Sequence, residues 1–418
     1  MNPSSFDLLI GIDRSDSRLD IATCDPVTGQ TAAHTVSTDP AALRGWFERQ
    51  RAALPSHAHV AVAFEQPATN LLVFFSQFAG VTLYPLNPAA VRSYCKSFAL
   101  SGAHTDTTDA AMIARYLAHY HSHLRAHPAR SGDLEELDRL NQSRRDLVDE
   151  RTALINRLQA TLKLYYPQAL KLLSDDLYRP MDCAFLLKWP SLQALQKVKP
   201  ATLRAFWHGH GSRSEALLSR RLALIAEALP LTNDPHRIEP LILEVRLLAE
   251  ELLLVDKHLK RYEASIAAVA ARFEDFAFFQ ALPGAGPVFA ARLLAVFGAD
   301  RELWGTAEDV LRLSGVAPVT QQSGGKRVVH RRHHAPAFLH QTLVEWAGES
   351  WQHSAWAKAF YHYQKARNKP YYSIMRMLAY KWIRILFRAW KDRVPYDEAR
   401  YLQCLLKSNS PLCAYLGA

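Results

Sequence analysis

The order of the short apolar runs at the start of the chain leaves it few folds to adopt. Leu8-Leu9-Ile10 is followed by residues 19–24 and 31–36, with the turn residues Asp25, Pro26, Thr28 and Gly29 between the last two. These read as three strands in hairpin succession. Beyond them the pattern predicts a helix over 40–53, a strand over 60–65, a helix near 71–78 and a strand over 81–86. Helices near 89–98 and 107–119 complete the unit. Three hairpin strands followed by alternating helix and strand predict an α/β domain with a mixed sheet of the RNase H-like kind.

Acids stand where such a sheet exposes its strand ends. Asp13 follows the first apolar run, Glu65 follows Val60-Ala61-Val62-Ala63-Phe64, and Asp106 and Asp109 sit three apart just before Ala110-Ala111-Met112-Ile113-Ala114. Residues three apart share a helix face, so four carboxylates are placed to converge. Like charges held close cannot all ionise unless a cation sits among them. Oxygen-only donors select a hard ion, magnesium or in its place manganese, and that is the chemistry of phosphodiester cleavage. Each acid alone also suits a turn or a cap, Asp106 as N-cap of the next helix above all. The four together, in this order, favour the metal site.

The 418 residues carry a net charge of +10, and the excess is local. Residues 323–393 hold fourteen Lys or Arg against Glu345, Glu349 and Asp392, a net of +11. An anionic partner for the C-terminal third follows. The cysteines Cys24, Cys95, Cys183, Cys404 and Cys413 form no CxxC pair, which points to a reducing compartment without zinc or a disulfide frame. Asp7 and Asp13 interrupt the only apolar run near the N-terminus, and no later uncharged stretch reaches membrane-spanning length. The expectation is a soluble cytoplasmic protein with no membrane partner.

We divide the chain into residues 1–125, a helical coiled-coil or linker region over 126–272, and a mainly helical domain over 273–418. In the middle region Leu140, Leu147 and Leu154 repeat at seven, as do Leu241, Leu248, Val255, Tyr262 and Val269 with Val245, Leu252, Leu259 and Ile266. Such helices pair as an antiparallel hairpin, as a coiled coil between subunits, or within an ordinary bundle. His208-Gly209-His210-Gly211, without a Cys or acid nearby, reads as a turn.

In the last third, Leu282-Pro283-Gly284-Ala285-Gly286-Pro287 is either a phosphate-binding turn of the helix-hairpin-helix kind, through Gly284 and Gly286, or a Pro-Gly turn between core helices. Ser323 stands before Gly324-Gly325 and the basic run Lys326, Arg327, His330, Arg331, Arg332. It is either a nucleophile that a phosphate can approach or ordinary turn chemistry. Further on, Lys365, Arg367, Lys369 and Arg376 are interleaved with aromatics from Trp346 to Tyr372, a composition that suits nucleic-acid backbones and stacked bases.

These parts together resemble the DEDD transposases of the bacterial "IS one-ten" insertion-sequence group, which join a RuvC-like domain to a transposase domain. The carriers are Gly11-Ile12-Asp13, Phe64-Glu65, Thr105-Asp106-Thr107-Thr108-Asp109-Ala110, the Leu282–Gly286 turn, Gly315-Val316-Ala317-Pro318 leading to Ser323-Gly324, and Val394-Pro395-Tyr396-Asp397-Glu398. The resemblance implies a DNA recombinase in which Asp13, Glu65, Asp106 and Asp109 hold magnesium and Ser323 attacks the scissile phosphodiester. It also implies a dimer or tetramer with composite active sites, an element-encoded guide RNA pairing with donor and target DNA, and association with the nucleoid during action. The chain departs from the family after the serine, where many members carry a Gly-Asn step and a later Arg. Here stand Arg331-Arg332-His333-His334-Ala335-Pro336 and His340, leaving His330 or His333 as a proton shuttle. The alternatives are a RuvC-like metal-dependent nuclease using activated water, or a nucleic-acid-binding scaffold with an idle acid cluster. A sugar-kinase or actin-like ATPase, which also opens on Gly-Ile-Asp, would need later glycine-rich phosphate loops that the first 125 residues lack.

Overall fold

A computed structural model describes residues 6–66, 68–98, 106–127, 130–333 and 335–417, without the side chains of residues 98, 106 and 107. The chain forms two compact units, Met1–Arg130 and Ser131–Ala418.

The first unit is built on strands β1 (Leu8–Arg14), β2 (Arg18–Cys24) and β3 (Thr31–Ser37), helix α1 (Pro40–Ala52), β4 (Val60–Glu65), α2 (Thr69–Ser76), β5 (Val81–Leu86), α3 (Pro88–Phe98) and α4 (Asp106–Tyr120). The sheet order is β3-β2-β1-β4-β5, antiparallel on the β3-β2-β1 side and parallel across β1-β4-β5. This is the mixed sheet expected of an RNase H-like domain. Strand alternation sorts its two faces. Ile10, Ile12, Leu19, Ile21, Val62 and Phe64 pack under α1 and α2 with Phe47 and Phe75. Leu9, Ala22, Ala61 and Ala63 pack under α4 with Ala110, Ile113, Ala114 and Leu117. The second face is lined by small residues, and that lets α4 lie close. Gly11 marks the nearest approach: a Cβ there would fall 2.3 Å from the Ala114 amide nitrogen and 2.5 Å from the Ala110 carbonyl oxygen.

The second unit begins with the long helix α5 (Gly132–Tyr165), followed by α6 (Ala169–Leu172), α7 (Pro180–Lys188), α8 (Leu192–Gln196), α9 (Pro200–Gly209) and α10 (Glu215–Glu227), and then the long α11 (Pro235–Ala270). The heptad positions Val245, Leu248, Leu252, Val255, Leu259, Ile266 and Val269 are buried. Helices α5 and α11 pair antiparallel within the chain, stitched by Arg144–Glu263 at 2.6 Å, Arg157–Glu244 at 2.8 Å and Arg272–Asp133 at 2.6 Å. Helices α6 to α10 fill one end of this hairpin, around Tyr166, Phe185 and Trp207. His208 and His210 close α9, His210 through a 2.8 Å bond from Nδ1 to the Phe206 carbonyl.

At the other end stand α12 (Phe276–Gln280), α13 (Gly286–Phe297), α14 (Ala307–Leu313), the hairpin β6 (Val319–Ser323) and β7 (Lys326–His330), α15 (Ala337–His353), α16 (Ala355–Ala366), α17 (Tyr371–Lys391), α18 (Glu398–Lys407) and a 3-10 turn at Pro411–Tyr415. Four fully buried tryptophans anchor this core, and each indole N–H has an acceptor, as buried Trp requires. Trp346 donates to the Pro283 carbonyl, Trp356 to the Tyr396 hydroxyl, Trp382 to Ser350 Oγ and Trp390 to the Gly298 carbonyl, all at 2.7 to 3.0 Å. Val394-Pro395-Tyr396-Asp397-Glu398 acts as a latch here: besides Tyr396 under Trp356, Glu398 accepts from Ser354 Oγ at 2.7 Å and Asp397 caps α18. Among the described residues no helix is long and apolar enough to cross a membrane.

Candidate active site

The strand ends of β1 and β4 meet the first turn of α4. Strand alternation turns Asp13 and Glu65 to the face on which α4 lies, and the close contact at Gly11 holds the Asp109-Ala110 turn over them. Asp13, Glu65 and Asp109 are each half-buried. Glu65 senses the others directly. Its carboxyl is pushed above the usual range by burial first and then by the Asp13 charge, with Arg92 pulling down and Asp109 adding to the rise. Cys95 on α3 borders the cluster, its thiol pushed up by burial and by Asp109 and Glu65. The side chain of Asp106 lies outside the described residues, although its backbone opens α4.

An acid missing from the sequence-based set stands beside them. Asp20 pairs in register with Asp13, on the same face of the sheet. It is 5% exposed, accepts from Thr35 Oγ1 at 2.8 Å and meets Arg18 at 3.4 Å. Its signal was the tight β1-β2 hairpin, whose short turn sets residue 20 opposite 13.

Among the described residues no three His, Cys, Asp or Glu side chains close on one point as a finished metal cage. The described donors Asp13, Glu65 and Asp109 nevertheless fit a hard cation: all are carboxylates, and the charges of Asp13 and Asp109 on the half-buried Glu65 are what such an ion relieves.

Ser323 ends β6, opposite Lys326, and Gly324-Gly325 form the two-residue turn. Gly324 takes φ +53°, the conformation that primed hairpin turns reserve for glycine. Alternating residues around a Gly-Gly pair were the signal for a hairpin where the sequence suggested only a loop. Every residue of both strands from Thr320 to His330 is exposed, and the Ser323 hydroxyl makes no hydrogen bond to another described residue. His330 ends β7 at the base of the hairpin, four residues from Lys326. His333 is exposed.

The expected nucleic-acid contacts divide by environment. Gly284, at φ +68°, packs against the α15 backbone, where a Cβ would meet Glu349 and Ser350 at 2.9 Å, whereas Gly286 opens α13 with free space around it. Lys326, Arg327 and Arg331 are exposed on or beside the hairpin, and Lys365, Arg367 and Lys369 on the α16-α17 turn. Arg367 donates to the Tyr363 hydroxyl at 3.0 Å. Arg376 and Arg332 are half-buried and line a groove below the hairpin.

A family model described as "Transposase", of the DEDD type of IS110, matches residues 10–167, from within β1 through α4, and includes Asp13, Glu65, Asp106 and Asp109. A second, described as "Transposase IS116/IS110/IS902 family", matches residues 277–362, including Ser323. The chain is 27% identical, over 97% of its own length and 99% of the relative's, to the "Mini-circle putative transposase for IS117" of Streptomyces coelicolor. It is also 27% identical, over 71% of its length and 73% of the relative's, to the "Insertion element IS900 uncharacterized 42 kDa protein" of Mycobacterium paratuberculosis. With an acid-bearing mixed sheet, a helical C-terminal part and two family models that together span more than half of its residues, the chain belongs to the IS116/IS110/IS902 family of transposases, enzymes that cut and rejoin DNA.

Proposed function

We propose that this transposase works through Ser323 as nucleophile, assisted by Asp13, Glu65, Asp106 and Asp109 around a magnesium or manganese ion, and guided by an RNA that its element encodes. The observation that supports this reading most is the placing of Asp13 and Glu65 at adjacent strand ends on the face that α4 covers, where burial first and then the Asp13 charge push the Glu65 carboxyl up. A divalent cation held by the four acids would polarise the scissile phosphodiester and offset its charge. Ser323 Oγ then bonds to phosphorus, the bond from phosphorus to one deoxyribose oxygen breaks, and that sugar leaves as a hydroxyl. His330 or His333 is the candidate to take the proton of the serine and to return one to the leaving oxygen. Attack by a second sugar hydroxyl reverses the step and rejoins the strand, so the phosphoserine is transient.

In this reading the acids of one subunit work on the serine of another, within a dimer or tetramer. The Ser323 hydroxyl is bonded to no other described residue, and α11 exposes Leu243, Leu247 and Leu254, at 68%, 48% and 55%, as a stripe for a subunit contact. Lys326, Arg327, Arg331, Lys365, Arg367, Lys369 and the Gly286 turn contact nucleic-acid backbone, and the protein works in the cytoplasm at the nucleoid. The exposed, unassisted serine equally suits a nuclease in which water attacks. One experiment separates the two. Protein, magnesium, element RNA and DNA carrying the element junction are mixed and denatured, and the protein is examined for bound DNA. A conjugate present in wild type and missing in Ser323→Ala is the expected result. Free cut ends without a conjugate would establish the water nuclease instead.

A further inference from the structure

The second unit contains a groove of about 1540 Å³ to which the four acids and the serine do not contribute. One wall is α17, another is α18, and the residues after β7 close its end. Its cations are Arg331, Arg332, Arg376, Lys381, Arg384, Arg388 and Arg400, against the acids Asp392 and Asp397. Both acids are engaged, Asp392 with Arg388 and Asp397 as the cap of α18. Arg332 Nε is buried with no hydrogen-bond partner among the described residues. Burial and the neighbouring Arg331 draw the Arg376 pKa down, and burial and Arg384 do the same to Lys381. Packing cations this closely is unfavourable until an anion arrives.

The floor is apolar and follows the same rhythm. Along α17 the groove receives Arg376 with Met377, Tyr380 with Lys381, Arg384 with Ile385 and Arg388 with Ala389, one charged and one uncharged neighbour every four residues. Four helical residues rise about 6 Å, a repeat that an extended sugar-phosphate chain can follow. Tyr396 and Tyr401 face the row from the other side. A duplex would offer this groove phosphates but keep its bases stacked inside. An unpaired strand offers both phosphates for the arginines and base faces for the tyrosines and Met377.

We infer that this groove binds an unpaired nucleic-acid strand and leads it to the base of the hairpin that carries Ser323. The inference rests on the recombinase reading and adds to it the state in which one partner strand is held. Val329 and His330 of β7 line the groove, so it ends at the base of the hairpin.

The test uses the full-length Ser323→Ala protein, which keeps the groove and removes the serine chemistry. Single-stranded DNA and single-stranded RNA oligonucleotides carrying iodouracil are photocrosslinked to it, and the attached peptides are identified by mass spectrometry. Crosslinks on Tyr380 or Tyr401, competed by unlabelled single strand and not by duplex, are expected, and the stronger arm tells which strand, DNA or RNA, occupies the groove. Lys381→Gln with Arg384→Gln should weaken single-strand binding about tenfold, near 1.4 kcal/mol, and leave duplex binding and thermal unfolding unchanged. Crosslinks confined to other peptides, or equal competition by duplex, would overturn the inference. So would a change of oligomeric state in the double variant, which would assign the groove to a protein contact. A covalent DNA conjugate still formed by the Ser323 protein in that event would leave the recombinase reading standing.

Discussion

Gly11 on β1 and Ala114 on α4 touch through their backbones, so closely that a single methyl group on Gly11 would lie 2.3 Å from the Ala114 nitrogen. No side-chain rotation relieves such a contact. Gly11→Ala must displace α4, and with it Asp109, from the sheet. We expect a loss of about 3 kcal/mol or more, at the upper end of overpacking costs, with loss of transposition. The urea midpoint of the purified variant measures the first, and a change within about 0.5 kcal/mol of wild type would disprove the account.

Removing acids should act in the opposite direction on the metal-free protein. Burial first and then the Asp13 charge oppose ionisation of Glu65, so Asp13→Asn should stabilise the protein in chelator and, on the proposed reading, abolish the rise in melting temperature expected of wild type with magnesium. At a hundredfold excess over its dissociation constant a bound ion adds about 2.7 kcal/mol. Scanning calorimetry with and without magnesium reads both effects, and an undiminished magnesium shift in Asp13→Asn would exclude that residue as a ligand.

The buried Arg292 is a structural ion pair. It is 5% exposed, donates to Glu345 and to Thr342 Oγ1 at 2.9 Å each, and Glu345 in turn holds Arg145 of α5 at 3.0 Å. Glu345→Ala leaves the guanidinium charge buried without its partner, at a cost of about 3–5 kcal/mol. Chemical denaturation should show that loss, while Arg292→Met, which removes the charge as well, should cost visibly less.

His340 sets a pH dependence. Its Nδ1–H donates to the Ser314 carbonyl at 2.9 Å and its Nε2 faces the Arg331 guanidinium at 3.5 Å, so the ring is neutral. Burial lowers its pKa below 6.5, Arg331 and Arg376 lower it further, and the Ser314 bond opposes them. The folded state then binds the proton more weakly than the unfolded chain does. Its stabilising contribution is complete above pH 6.5 or so and is lost as pH falls through the lowered value. The melting temperature should fall on acidification below neutrality, and His340→Gln should flatten that slope; an unchanged slope would assign it to another group.

Much of this molecule is readable from its residues. The sheet was legible because three hairpin strands and two crossover strands of Val, Ile and Ala leave few ways to pair, and the place of Asp13 and Glu65 was legible because strand ends must surface. Gly11 belongs to a motif, but its reason lies in a helix a hundred residues away, which no local pattern reveals. Asp20 gives no sign of itself in the sequence because its importance depends on register against Asp13. In the last third, Trp346 and Trp356 looked like stacking surfaces among basic residues and are core. Their apolar neighbours explain this only after α15, α16 and α17 are packed. The heptads of α11 could not state whether their partner was α5 or another chain, since period alone is blind to which helix answers it.

The exposed hairpin of β6 and β7 also bears on when the enzyme can act. A serine at the end of a two-stranded ribbon, with its hydroxyl bonded to no other described residue, is chemically as quiet as free serine in water. On the proposed reading such a serine cuts only once a base or a metal ion is brought to its hydroxyl, so the moment of cutting is set by whatever supplies that group.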